Sequence, residues 1–196
     1  PQVNEMHVYG ENLILCDRFN GQVAVLDKAT GDELYKVQQK EMVDAGINSK
    51  NELMLLISRN NTISVFVKEK YQYSFGLYGI NTPGSMFVKK DIIYVSDIKT
   101  NKIFKFSLMG QLLGTFELSD SYPENTLAAF SVTDSMELYA VIKPGYIIKF
   151  DADGSVKMKK KIPYLTDAKN SYADIRIIKA VNGDFYVNDY RGSRML

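Results

Sequence analysis

The sequence holds one cysteine and one histidine, shows no surplus of charge of either sign, and has no long apolar run. Each shortage excludes something. Cys16 cannot close a disulfide within the chain, and no second cysteine offers a redox pair. Its place inside Leu13-Ile14-Leu15-Cys16-Asp17 predicts a buried, inert thiol. His7 as the sole imidazole rules out a zinc site built on several histidines and leaves no second histidine as a base. It lies in a strand-like run, where packing near a central axis is expected rather than reaction. With 24 basic and 23 acidic side chains, a net charge of +1, the basic excess that marks nucleic-acid or anionic-membrane binding is missing. No stretch of about 18 apolar residues exists to cross a bilayer as a helix. The opening residues PQVNEMHV carry neither the basic nor the apolar region of a leader peptide, so any such segment would lie outside this sequence.

What is present is a repeat. Residues 91–116, DIIYVSDIKTNKIFKFSLMGQLLGTF, read as three apolar runs separated by polar turns, and residues 12–37 follow the same plan. Both end the first run on an aspartate, Asp97 and Asp17, and a third copy places Asp189 in that slot. Two looser copies, from Glu52 and from Met136, keep the runs and lose the aspartate. The first apolar residue of each second run falls at Val23, Ile63, Ile103, Ile147 and Met195, spaced by 40, 40, 44 and 48 residues. Each repeat holds about four short runs rich in Val, Ile, Phe and Tyr, and none shows sustained helical spacing. The expected fold is all-β, a β-propeller of four-stranded antiparallel blades. One domain over residues 1–196 would hold blades at approximately 3–38, 41–77, 83–118, 125–162 and an incomplete 173–196, about four and a half in all.

Details support the blade reading. Val23–Leu26, Ile63–Val67 and Tyr146–Phe150 are nearly continuous apolar runs, as expected of strands covered on both faces. The fourth runs carry charge, above all Lys157–Lys161, which suits a rim strand whose lysines discourage edge-to-edge pairing. Gly31, Gly110 and Gly154 fall where third and fourth strands turn. Asp151-Ala152-Asp153-Gly154 starts like a calcium loop, but lysines replace the later acidic ligands, and a hairpin is expected there.

The segment Tyr94–Phe106, YVSDIKTNKIFKF, resembles the NHL-type repeat: a small apolar strand ending in Asp, a polar turn holding Asn, a basic residue, then an apolar strand. ILCDRFNGQVAVL and YVNDYRGSRML match it more loosely. The resemblance covers nearly the whole chain. It implies a six-bladed ring and an exported, extracytoplasmic bacterial setting, periplasmic or on the cell surface, with a lipid anchor as one option. Enzymes that share such propellers include lactonase-like hydrolases and amidating lyases. Their metal-binding constellations have no counterpart that can be placed here residue by residue, so neither a metal nor another cofactor is expected.

The three repeated aspartates are expected to accept hydrogen bonds from the turns that follow them, since carboxylates one blade apart are too distant to share a cation. The turns between second and third strands, and the connections between blades, should emerge on one face. The first set brings Arg18, Asn20, Arg59, Asn60, Lys99, Asn101, Lys143 and Arg191 there, and the second brings Tyr78, Tyr122 and Tyr172. Aromatics beside Asn, Arg and Lys fit a protein or glycan partner. The expected role is a non-enzymatic binding or scaffold module. A metal-dependent lactonase or lyase is the alternative, and RNA binding stands third because Asp17, Asp44, Asp97 and Asp120 dilute the positive face. Uncovered blade faces at both ends predict that one to two further blades belong to a longer chain.

Overall fold

The computed structural model describes residues 3–118, 127–142, 145–162, 175–181, 184–189 and 194–195. Among the described residues every regular element is a strand. The first sheet holds β1 (Glu5–Tyr9), β2 (Asn12–Asp17), β3 (Gln22–Asp27) and β4 (Glu33–Gln38). The second holds β5 (Met42–Ile47), β6 (Leu53–Ile57), β7 (Thr62–Val67) and β8 (Lys70–Gly76). The third holds β9 (Pro83–Lys89), β10 (Ile92–Asp97), β11 (Lys102–Ser107) and β12 (Leu112–Glu117), and the fourth β13 (Leu127–Val132), β14 (Leu138–Ile142), β15 (Tyr146–Phe150) and β16 (Val156–Lys161). In each, strands neighbour one another in chain order. β17 (Ile175–Val181), β18 (Asp184–Asp189) and β19 (Arg194–Met195) form a three-stranded fifth sheet. These are four complete blades of a β-propeller and part of another.

The chain divides into two compact units, residues 1–97 with 104–113 and residues 98–103 with 114–196. In the first, strand alternation sends Ile14, Cys16, Val23 and Val25 of the first blade into one core with Ala45, Ile47, Leu53 and Leu55 of the second. The opposite face of the second blade, Met54, Leu56, Ile63 and Val65, closes on Met86, Val88, Ile93 and Val95 of the third. That is why Leu53–Ile57 is buried at every residue: a strand between two sheets has no wet face. The run Val23–Leu26 behaves differently, with Val23 and Val25 buried and Ala24 and Leu26 only half-buried. In the second unit Tyr139, Val141 and Ile147 pack with Met158 and Ile162, and Phe116 sits edge-on to Phe150 at 5.5 Å.

The last strand of each complete sheet is wet. On β16, Lys157 pairs with Asp151 at 3.0 Å and the Lys159 ammonium lies 4.8 Å from the Tyr146 ring centroid, so these lysines are used along a rim. Gly31, Gly110 and Gly154 take left-handed φ of 78°, 79° and 91° in the expected hairpins, while the second blade turns on Lys68 at 54°. At Asp153 the carboxylate accepts the N–H and hydroxyl of Ser155 at 2.9 and 2.8 Å, which closes a hairpin.

The turns between second and third strands also repeat a backbone state. Gly21, Asn61, Asn101 and Gly145 all have positive φ, at 63°, 49°, 55° and 121°, and their numbers are 40, 40 and 44 apart. Gly21 admits no side chain, because a Cβ there would stand 2.7 Å from the Gln39 carbonyl oxygen. Gly21→Ala is therefore expected to cost about 2 kcal/mol, from the left-handed backbone and the displaced Gln39 carbonyl together. Urea unfolding of the variant beside the parent checks it.

Candidate functional site

The expected side-by-side arrangement of turns and inter-blade connections is seen within the first unit. The Arg18–Gly21 turn lies against the connection from β4 to β5, with the Gln39 N–H donating to the Gly21 carbonyl at 2.7 Å and the Gln38 amide to the Asn20 carbonyl at 2.6 Å. The Ser58–Asn61 turn likewise lies against the connection from β8 to β9: Leu77 donates to the Asn61 carbonyl at 2.8 Å, and the Asn61 amide to the Ile80 carbonyl at 2.7 Å. In the second unit the Leu127 N–H donates to the Asn101 side chain at 3.1 Å.

The candidate binding residues separate by use. Asn20 donates to Asp17 at 2.7 Å, and Asn101 holds the start of β13. Arg18 turns inward, donating to Glu5 at 3.0 Å and to the Gly84 carbonyl at 3.3 Å. Arg59, Asn60, Tyr78 and Lys99 are exposed, Tyr78 to 87% of its surface. Tyr122, Lys143, Tyr172 and Arg191 lie outside the described residues. Phe19, at the tip of the first turn, is 76% exposed and was not among the expected contacts. Its signal was available: a phenylalanine between Arg18 and Asn20 in a polar turn has no strand to bury it.

Asp17, Asp44 and Asp97 are buried, so they temper this surface from beneath rather than on it, and Asp120 lies outside the described residues. Asp17 accepts the Asn20 N–H at 3.0 Å from the turn that follows it, as expected. Asp97 takes the N–H groups of Asn81 and Thr82 at 2.8 and 3.2 Å, which fixes the connection entering β9, before its strand rather than after it. The side chain of Asp189 lies outside the described residues.

The densest polar cluster of the first unit was not anticipated. It lies on the first strands of three successive blades. Asp44 of β5, fully buried, accepts from His7 Nε2 of β1 at 2.7 Å and from the Met86 N–H of β9 at 2.7 Å, and it also takes the Ala45 N–H at 2.8 Å. Tyr9 of β1 reaches past β5 altogether, its hydroxyl oxygen accepting the Val88 N–H at 3.3 Å. It can do so because Gly46 stands between them: a Cβ there would lie 2.7 Å from Val88 Cγ2 and 3.0 Å from the Tyr9 oxygen. His7 meets Phe87 edge-on at 5.5 Å. A bulge in β5 between Met42 and Asp44 sets the register that aims the carboxylate at these partners.

Electrostatics follow from this geometry. Burial disfavours a charged His7, but the charge and hydrogen bond of Asp44, helped by Glu5 and opposed by Arg18, outweigh it and raise the imidazole above its ordinary value of 6.5. Burial pushes up the Cys16 thiol and the Tyr9 phenol, so both hold their protons. His7 binds its proton more tightly folded than unfolded. The stabilisation is therefore fully present below an imidazole value of 6.5 and is lost as pH rises through the higher folded value. The unfolding midpoint should fall between about pH 6 and pH 9, and His7→Gln should flatten that fall, since no other histidine titrates there. Denaturant melts across this range check it.

No family model and no curated protein sequence matches the chain. Solved structures do. The WD40 β-propeller domain of Doa1 aligns with a TM-score of 0.73 at 16% identity, over 96% of this chain and 61% of that one. A catalytically inactive variant of virginiamycin B lyase from Staphylococcus aureus, solved with quinupristin, gives 0.72 at 13% identity, over 97% and 64%. A streptogramin B lyase gives 0.70 at 12%, over 97% and 66%. At such identities the likeness shows the β-propeller fold and nothing about activity. The chain spans under two thirds of the length of each of these propellers.

Proposed function

We propose that this chain is a binding or scaffold module, and that a protein partner docks on the turn face of its first unit. The observation that carries the reading is the exposure of two large aromatics, Phe19 and Tyr78, among Arg59 and Asn60 on rigidly bonded turns. Aromatic side chains held on stiff loops present contact area at little entropic cost, and they are enriched among binding anchors. His7 and Asp44 are engaged with each other in joining strands of successive blades. The β-propeller fold is compatible with a scaffold role. The NHL-like aspartate and turn pattern supports a six-bladed protein acting outside the cytoplasm, and a glycan is the second kind of ligand that the same aromatics would take.

The test is capture of partners from the native source with the parent, with Phe19→Ala and Tyr78→Ala, and with Met109→Ala, an exposed residue in the hairpin at the other end of the strands. Loss of the captured protein at least about fivefold in the first two variants, at unchanged melting temperature, is expected, because a truncated anchor costs more than 1 kcal/mol. Equal loss with Met109→Ala, or none with either aromatic, defeats the reading.

A further inference from the structure

The flank of the first blade carries a second surface, independent of the turn face. Register pairs Met6 with Leu15 and Val8 with Leu13 on β1 and β2, and Leu13 with Leu26 and Leu15 with Ala24 on β2 and β3. These six side chains share one face of the sheet. One blade later the same slots are Ala45 with Leu55 and Ile47 with Leu53, followed by Leu53 with Phe66 and Leu55 with Ser64. Every one of those is buried, because Ile14, Cys16, Val23 and Val25 of the preceding blade cover them. In the first blade Met6 is 54% and Val8 48% exposed, and Leu13, Leu15, Ala24 and Leu26 are half-buried.

The repeat thus states what such a face takes: a four-stranded sheet presenting branched apolar side chains at the positions of Ile14, Val23 and Val25. We propose that the Met6, Val8, Leu13, Leu15, Leu26 face is a docking surface for one further blade of that kind, contributed by the same polypeptide from outside residues 1–196. Three observations agree. The face is apolar along the middle of its first three strands, ends at the Asp17–Gln22 pair beside the turn, and turns charged at Lys36 and Glu33 on β4, as a blade interface does toward its rim. Contiguous exposed apolar patches of this kind mark interaction surfaces. The propellers that this chain resembles are longer by room for further blades.

The test is thiol labelling of the full-length natural protein carrying Met6→Cys or Val8→Cys, with Tyr78→Cys as the exposed reference. The native Cys16 contributes little background, being buried with its thiol pushed up by burial. Both flank cysteines should react with a maleimide at least about tenfold more slowly than the reference, at every protein concentration, because labelling then waits on local opening. A cross-linker anchored at position 8 should reach strand-like sequence outside residues 1–196. Reaction at the reference rate overturns the proposal. So does protection that disappears on dilution, which would mean a second copy, and so do cross-links confined to residues 1–196. Circular dichroism of each variant against the parent confirms that the labelled protein is folded, and the two positions serve as independent checks.

Discussion

Asp44→Ala should cost about 3–5 kcal/mol of folding stability, the range for breaking a buried charge pair from one side. The carboxylate is fully buried and serves donors on three strands: His7 on β1, Ala45 on β5 and Met86 on β9. Alanine leaves the Met86 N–H without this acceptor and strips the imidazolium of its counter-charge in a site where burial already opposes charging. Asp44→Asn separates the two losses. An amide can still accept from Met86 and donate to a neutral imidazole, so its cost should be about half that of alanine, and it should flatten the alkaline fall in stability. Urea melts of both variants, at about pH 6 and pH 9, decide. A loss below about 1 kcal/mol for Asp44→Ala would mean that the cluster is an exposed surface pair in solution, where such interactions are worth little.

This cluster also shows where sequence reading stops. Blades were legible because they repeat: apolar runs recur every 40 to 48 residues, hairpin glycines and strand-ending aspartates each mark three of the five copies, and turn chemistry is local. Asp17 and its Asn20 partner are three residues apart and could be paired on paper. His7 and Asp44 are 37 residues apart, and Tyr9 and Val88 are 79 apart. Their meeting depends on one bulged residue in β5, which shifts the side-chain alternation without altering the repeat length visibly. A sign was nonetheless present. An aspartate inside Met42-Val43-Asp44-Ala45-Gly46-Ile47 is charged in the middle of an apolar run, and a buried carboxylate must have partners. The chain's single histidine, on the equivalent strand one blade earlier, was the natural candidate. The turn face was legible only in part for the reverse reason. Residue type alone does not tell Arg18, which turns inward to Glu5, from Arg59, which stays out.

Leu55→Ala and Leu56→Ala should each cost about 2–5 kcal/mol, the range for leucine truncation in a closed core, although the two residues are sequence neighbours. Leu55 packs among Ile14, Cys16, Val23 and Val25 of the first blade, and Leu56 among Met86, Val88, Ile93 and Val95 of the third. Each truncation therefore reports on a different inter-blade interface. Between rigid β-sheets the surroundings have little room to collapse into the cavity, which places both toward the upper part of the range. The exposed Leu34 on β4 is the control and should stay within about 0.5 kcal/mol of the parent. Urea unfolding with an unchanged slope is the measurement, because a changed slope would mean that one blade had come apart before the others. The double variant carries the sharper consequence. If the two interfaces are independent, its loss equals the sum of the single losses to within about 0.5 kcal/mol. A smaller loss would mean that truncating one leucine had already released both faces of β6, and that the second blade is held as one piece rather than as two separable seams.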